Sequence, residues 1–259
     1  MKNKIKKILN KKNRSKIICL TSYSKNISEA VDPYTDIILV GDSLGSTLYN
    51  YATTRNVTID QMIEHSKSAR LGIKNSLMVV DMPYKSFVNK QTALRNAKKI
   101  IKETKCDAVK IEGGSSVIKI IEHLVKNNIP LMGHLGILPQ SAKGKFKFKG
   151  KKTKEKNKIL NDAKLLQKKG VFSIVLECVE STLAKEITKS LKIPTIGIGS
   201  SKNCDGQVLV IDDLIGLNDS KIKFVKKFGS IKNNISQAAR KFKKEVLNKK
   251  YPSKKYSYN

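Results

Sequence analysis

Three acids in this 259-residue chain each close a short apolar run. Ile37-Ile38-Leu39-Val40 leads to Gly41-Asp42, Leu77-Met78-Val79-Val80 to Asp81, and Ala108-Val109-Lys110-Ile111 to Glu112. Two further runs end in the same way, Leu131-Met132 at Gly133-His134 and Ile174-Val175-Leu176 at Glu177. Short β-branched runs between turn residues predict buried strands. A charge delivered to the end of such a strand must be paired, metal-bound or part of a site, because burying it alone is costly. Carboxylates from three separate strands suit a hard cation. Mg2+ takes oxygen ligands in octahedral geometry and keeps places for waters and substrate oxygens, so two or three carboxylates plus a bidentate 2-oxoacid would fit. The competing reading is three unrelated helix caps or ion pairs, since an Asp after a strand often caps the next helix. His134 is open in the same sense, as a substrate or proton-transfer group or as a structural hydrogen-bonder. His65 and His123 fall on predicted helices away from strand ends and read as structural or surface residues.

Elements must bring these strand ends together. Strands are predicted over 17–20, 36–40, 77–80, 108–111, 131–133, 173–176, 195–198 and 208–211. Helices are predicted over 26–31, 58–71, 91–105, 116–127, 160–169 and 181–191, with Thr58 as an N-cap and Gly170 as a stop. Strands alternating with helices mean βαβ units and a parallel sheet, and eight of them favour a closed (β/α)8 TIM barrel with its site at the C-terminal strand ends. A doubly wound open sheet is the alternative, and it too places ligands at those ends. The expected organisation is a basic leader helix over 1–16, with Ile5, Ile8 and Leu9 at helical spacing, then the barrel over 17–228 and a basic helical tail over 229–259. The connection 142–158 is too long for a plain turn and reads as an active-site lid or a solvated loop. Its lysines (Lys143, Lys145, Lys147, Lys149, Lys151, Lys152) could meet a polyanionic substrate tail. Gly113-Gly114 and the Gly197/Gly199 pair read either as anion cradles or as tight turns, and Tyr23 and Tyr84 as pocket walls or core.

Composition narrows the classes. With 39% hydrophobic residues the chain can bury a sizeable core. It has no apolar run long enough to span a membrane and no signal-peptide pattern. The four cysteines (Cys19, Cys106, Cys178, Cys204) show no CxxC spacing and read as free thiols in a reducing cytoplasm. A net charge of +31 would suit nucleic acid or an anionic surface. Yet arginine appears only five times, the lysines are dispersed, and Trp is absent. Groove reading and phosphate clamping favour the planar Arg fork, and single strands need aromatic platforms. A lysine-heavy solvated surface is the simpler account, with no nucleic-acid or membrane partner.

Several motifs follow one another in order: Val40-Gly41-Asp42-Ser43-Leu44-Gly45, Val80-Asp81-Met82-Pro83-Tyr84, Val109-Lys110-Ile111-Glu112-Gly113-Gly114, Gly133-His134-Leu135-Gly136, Leu138-Pro139-Gln140-Ser141, Leu176-Glu177-Cys178-Val179, Ile196-Gly197-Ile198-Gly199 and Asp205-Gly206-Gln207-Val208-Leu209-Val210. Together, from Ile17 to Phe228, they closely resemble the ketopantoate hydroxymethyltransferase family. The resemblance implies a (β/α)8 enzyme that moves a one-carbon unit from 5,10-methylenetetrahydrofolate to 3-methyl-2-oxobutanoate. The product is 2-dehydropantoate, and the step is the first of pantothenate synthesis. It further implies that Asp42 and Asp81 bind Mg2+ with Glu112 completing the site, directly or through water. Ser43 and Lys110 would hold an oxoacid that chelates the metal, and Glu177 corresponds to the family's base. The metal would stabilise the enolate, Lys110 would add charge beside the same oxygens, and His134 would lie against the substrate. The family also implies large ring-based homo-oligomers.

The chain departs from the family pattern at Ser24, usually Asp, at Arg55-Asn56, usually Leu-Pro, in the lid string Gly144-Lys145-Phe146-Lys147-Phe148-Lys149-Gly150, and at Ile222 before Lys223-Phe224, usually Pro. These departures leave the metal and oxoacid residues intact. Two other readings compete. Relatives of isocitrate lyase and phosphoenolpyruvate mutase share strand-end acids but carry a lid Cys, and the lid here has none. A basic RNA- or membrane-associated protein on a dead barrel would have no reason to keep Asp42, Asp81, Lys110, Glu112 and Glu177 together.

Overall fold

Strands covered on both faces need nearly continuous apolar sequence, and the runs 37–40 and 77–80 supply it with every residue buried. The computed structural model describes residues 2–141 and 148–258. Eight parallel strands close into a barrel in chain order: β1 Ile17–Thr21, β2 Ile37–Val40, β3 Leu77–Asp81, β4 Ala108–Glu112, β5 Leu131–Gly136, β6 Ser173–Glu177, β7 Thr195–Ile198 and β8 Gly206–Leu209. The expected TIM barrel is therefore the fold, and the open sheet is excluded. Closure occurs where Ile17 pairs with Gly206. A Cβ at position 206 would lie 2.5 Å from the Ile17 carbonyl oxygen, so only glycine lets the last strand reach the first. That pairing starts β8 two residues before the predicted 208, and β5 runs beyond the predicted end at 133 to carry His134 inside the strand.

The helices are α1 Lys2–Asn10, α2 Lys25–Val31, α3 Leu44–Leu48, α4 Ile59–Gly72, α5 Lys90–Thr104, α6 Ile118–Lys126, α7 Thr153–Lys168, α8 Ser181–Ser190, α9 Ile211–Leu214 and α10 Ile231–Leu247. Their ends follow capping chemistry. Thr58 and Gln61 form a reciprocal capping box on α4, Asn89 caps α5, and the Glu180 carboxylate accepts from Thr182 and Leu183 N–H at the start of α8; each such cap is worth about 1 kcal/mol. α7 starts seven residues before the predicted 160, because Thr153 to Lys158 are polar and leave no apolar stripe to detect. Residues 142–147, with Lys143, Lys145 and Lys147 of the expected lid, lie outside the described residues. The feet of that connection are described. Gln140 is buried at one end. At the other, Lys149 donates its N–H to the Cys178 carbonyl and accepts from Glu180 N–H, just past Glu177.

Side chains alternate along a strand, and the alternation stratifies the interior. Leu77, Val79, Ala108, Met132, Val175, Ile196 and Val208 share one apolar cluster with Ile17, Cys19, Ile37 and Leu39. Two residues further on, the same face of β3, β4, β5 and β6 carries Asp81, Lys110 and then Glu112, His134 and Glu177. Below the apolar layer, α1 closes the other end. Its Ile8 is buried in the cluster with Ile5 and Leu9 against it. Lys4 Nζ caps the carbonyls of Lys74 and Ser76, and Lys12 Nζ reaches Thr188 O and Asp205.

One compact unit ends at Val210 and a second comprises Ile211 onward. In the second, Phe228 and Ile231 N–H groups bond the carbonyls of Leu214 and Ile215. α10 buries no residue and leaves Ile235, Phe242, Val246 and Leu247 exposed.

Candidate active site

Strand register sets the neighbours. In the parallel ladder Asp81 stands opposite Lys110, Glu112 opposite His134, and Gly136 opposite Glu177. Asp42 follows β2 across Gly41, where its N–H donates to Asp81 Oδ2 at 3.1 Å. Lys110 Nζ lies 3.1 Å from Asp81 Oδ1 and 3.3 Å from His134 Nδ1. His134 sits between two acids, with Nδ1 3.6 Å from Glu112 Oε1 and Nε2 3.2 Å from Glu177 Oε2. Ser43 Oγ hydrogen-bonds Tyr23 Oη at 2.8 Å. The structure thus gathers Asp42, Ser43, Asp81, Lys110, Glu112, His134 and Glu177 at one end of the barrel. All of these except Ser43 and Glu177 are at most 5% exposed.

Electrostatics here are dominated by crowding of like charge. Burial pushes the Asp42 carboxyl up to about 8, and the neighbouring Asp81 and Glu112 charges add to the effect. Asp81 is also raised, by burial, against the pull of Lys110. Burial alone would discharge Lys110, but Asp81, Glu112 and Asp42 outweigh it and hold the ammonium charged. Burial and the Lys110 charge push His134 down, and its contacts with Glu112 and Glu177 win, holding it at about 9. A ring protonated on both nitrogens cannot accept from Lys110, so their 3.3 Å approach is a like-charge contact that the surrounding carboxylates offset.

Several polar atoms in this cluster keep unused hydrogen-bonding capacity. Gln140 Oε1 is buried without a hydrogen bond, and Asp81 Oδ1, Glu112 Oε1 and His134 Nε2, also buried, have only their ion-pair contacts. Buried polar atoms are normally satisfied, so a group of them in one place marks where something else binds. Among the described residues, no three His, Cys, Asp or Glu side chains form a group that could hold a metal ion. Mg2+ does not require one: it is commonly held by one or two carboxylates, with waters and substrate oxygens supplying the rest. Asp42 and Asp81, adjacent, buried and mutually repelling, fit that donor set, and an arriving cation would relieve their repulsion.

Other sequence readings resolve. A Cβ on Gly114 would collide with the Asp162 carboxylate, which accepts from Ser115 N–H, so this turn is packed rather than shaped as an anion cradle. Gly197 abuts the Gln207 side chain and Cys204 Sγ. Tyr23 lines the site beside Ser43, while Tyr84 is a rim residue under the Arg55 guanidinium, 5.4 Å from the ring centroid. His65 is structural, bridging Tyr23 O and Tyr49 Oη. Gln140 belongs to the motif Leu138-Pro139-Gln140-Ser141, but no sequence pattern assigns its side chain a role. Its side chain contacts Asp42 and its N–H contacts Glu112. It lies outside any strand, where no periodicity points inward.

A family model described as ketopantoate hydroxymethyltransferase matches residues 2–254. The chain is 62% identical over 258 residues, covering 100% of both chains, to the 3-methyl-2-oxobutanoate hydroxymethyltransferase of Pelagibacter ubique (strain HTCC1062). It is 42% identical over 251 residues to the enzyme of the same name from Anaplasma marginale (strain St. Maries), covering 96% of this chain and 91% of the other. Among solved structures, 2,3-dimethylmalate lyase, a PEP mutase/isocitrate lyase superfamily member, matches with a TM-score of 0.64 at 10% identity, over 98% of this chain and 88% of that one. A phosphonopyruvate hydrolase complex with oxalate and Mg++ matches at 0.63 and 8%, over 98% and 93%. At such identities the structural likeness shows the barrel architecture alone.

Proposed function

Because the chain belongs to the ketopantoate hydroxymethyltransferase family, we propose that it transfers a hydroxymethyl group from 5,10-methylenetetrahydrofolate to 3-methyl-2-oxobutanoate, giving 2-dehydropantoate and opening pantothenate synthesis. The observation that carries this reading is the convergence of Asp42, Asp81, Lys110, Glu112, His134 and Glu177 in one polar layer at the C-terminal end of the barrel. Asp42 and Asp81 would hold Mg2+, with Glu112 joining through water. When bound, the metal supplies Lewis-acid stabilisation of charge on the oxoacid oxygens.

The protein's own groups do the rest. Ser43, with Tyr23 behind its hydroxyl, offers a polar contact to the oxoacid. Lys110 stays charged in a buried setting, so it stabilises negative charge growing beside it without reorganisation. Glu177 is the least buried acid of the group, with a side chain 21% exposed. A carboxylate at the rim can take the weakly acidic C3 proton, and the His134 imidazolium 3.2 Å away pairs with it and orients it. His134 in turn leans on Glu112, so three titratable groups form a row from the rim to the buried acids.

The same reading makes the chain a cytoplasmic homo-oligomer. Four free cysteines support the compartment, and among the described residues no helix is long and apolar enough to cross a membrane. The test is purified protein with Mg2+, 3-methyl-2-oxobutanoate and 5,10-methylenetetrahydrofolate, followed by mass spectrometry. The expected result is 2-dehydropantoate formation that chelator abolishes; no product under any divalent ion refutes the assignment.

A further inference from the structure

Gln140 occupies a position that no role has yet absorbed. It is 2% exposed. Its Nε2 donates to Asp42 Oδ2 at 2.8 Å and to the Met82 carbonyl at 3.0 Å. Its backbone N–H donates to Glu112 Oε2 at 3.1 Å, and its own carbonyl accepts from Arg55 Nε at 2.8 Å. One residue thus spans the acids that follow β2 and end β4, with β3 and Asp81 between them.

Two consequences follow from elementary chemistry. The side-chain amide faces two acceptors, so turning it over would set oxygen against oxygen twice; its orientation is fixed. The amide oxygen is therefore committed elsewhere, and it is buried with no hydrogen-bond partner. A buried unpartnered carbonyl beside two repelling carboxylates implies a donor that arrives with a ligand. The amide also places N–H groups where charge repulsion would otherwise separate Asp42 from Glu112.

We propose that Gln140 is a positioning residue: its side chain fixes the Asp42 carboxylate for cation and oxoacid binding and keeps an acceptor ready for a water or hydroxyl of that assembly. The proposal rests on the functional reading above. Groups that orient metal ligands typically change metal affinity by 10- to 100-fold when removed.

The experiment titrates Mn2+ into the full-length protein with 3-methyl-2-oxobutanoate present and follows bound Mn2+ by EPR, with thermal melting in parallel. Wild type is expected to show a saturable bound signal that Mg2+ displaces. Gln140→Met keeps the volume but removes donor and acceptor, and is expected to weaken Mn2+ by roughly 10- to 100-fold with an altered line shape. Gln140→Asn withdraws the amide by one methylene and is expected to move both readouts the same way; it carries the test if the Met variant does not fold. A lowered melting temperature with wild-type affinity and line shape would mean a merely structural role and overturns the proposal. No bound signal in wild type overturns the functional reading and the proposal together. A wild-type signal unchanged in the variants overturns the role of Gln140 alone.

Discussion

Asp81 receives the Asp42 N–H on one oxygen and the Lys110 ammonium on the other. Replacing it by Asn keeps the shape and removes the charge. Mg2+-dependent binding of 3-methyl-2-oxobutanoate, measured by calorimetry, is expected to fall by at least roughly tenfold. Glu177→Gln is expected to leave that binding near wild type and to slow exchange of the substrate C3 proton with deuterated solvent by roughly 10²- to 10⁴-fold; wild-type exchange in this variant would remove Glu177 as the base. The polar layer was readable in advance because it obeys a period of two. Leu77-x-Val79-x-Asp81 and Ala108-x-Lys110-x-Glu112 are apolar at the bottom and charged at the top of one face. Not every acid next to a strand belongs to it. Asp36, Asp107 and Asp205 precede β2, β4 and β8, and each accepts a backbone N–H of the preceding strand, from Ile18, Met78 and Thr195. Composition does not separate the two kinds of acid; position before or after the strand does. Gln140 escaped that logic because it sits on an irregular connection.

Among the elements, the link into β3 shows how a single side chain can organise a turn. The Asp32 carboxylate, at the end of α2, accepts N–H groups of Lys74, Asn75 and Ser76. Burial pushes this carboxyl up, but those donors together hold it below its ordinary value. A lowered folded-state pKa means the contribution is present in full above the unfolded value of about 4 and is lost as pH falls through the folded value. Asp32→Ala is therefore expected to cost about 3 kcal/mol near neutral pH, read from urea midpoints, with the gap to wild type closing only in acid below about pH 4. Helices with apolar stripes were legible in the sequence to within a residue or two at several ends, as with α4 and α5. The polar start of α7 was not, because its exposed first turns leave no trace in hydropathy. The shift of β8 came from a requirement outside the segment itself, the close approach of Gly206 to Ile17.

For the molecule as a whole, a net charge of +31 on 259 residues repels itself. Screening shortens that repulsion from about 30 Å at 0.01 M salt to about 3 Å at 1 M, so the melting temperature is expected to rise with added sodium chloride; a flat response would mean that local pairing already compensates the lysines. Ile8→Ala should report on the sealed lower end of the barrel, with an expected loss of about 2–5 kcal/mol by chemical denaturation. Ile8 shares its buried cluster with residues of β1 to β6 and also with Ile196 of β7 and Val208 of β8. The segment that stoppers the cylinder thus leaves the ribosome before any stave, yet its seat is complete only when the final stave has been made. During synthesis that greasy turn must wait, shielded by its own lysines, and the order of manufacture runs opposite to the order of assembly.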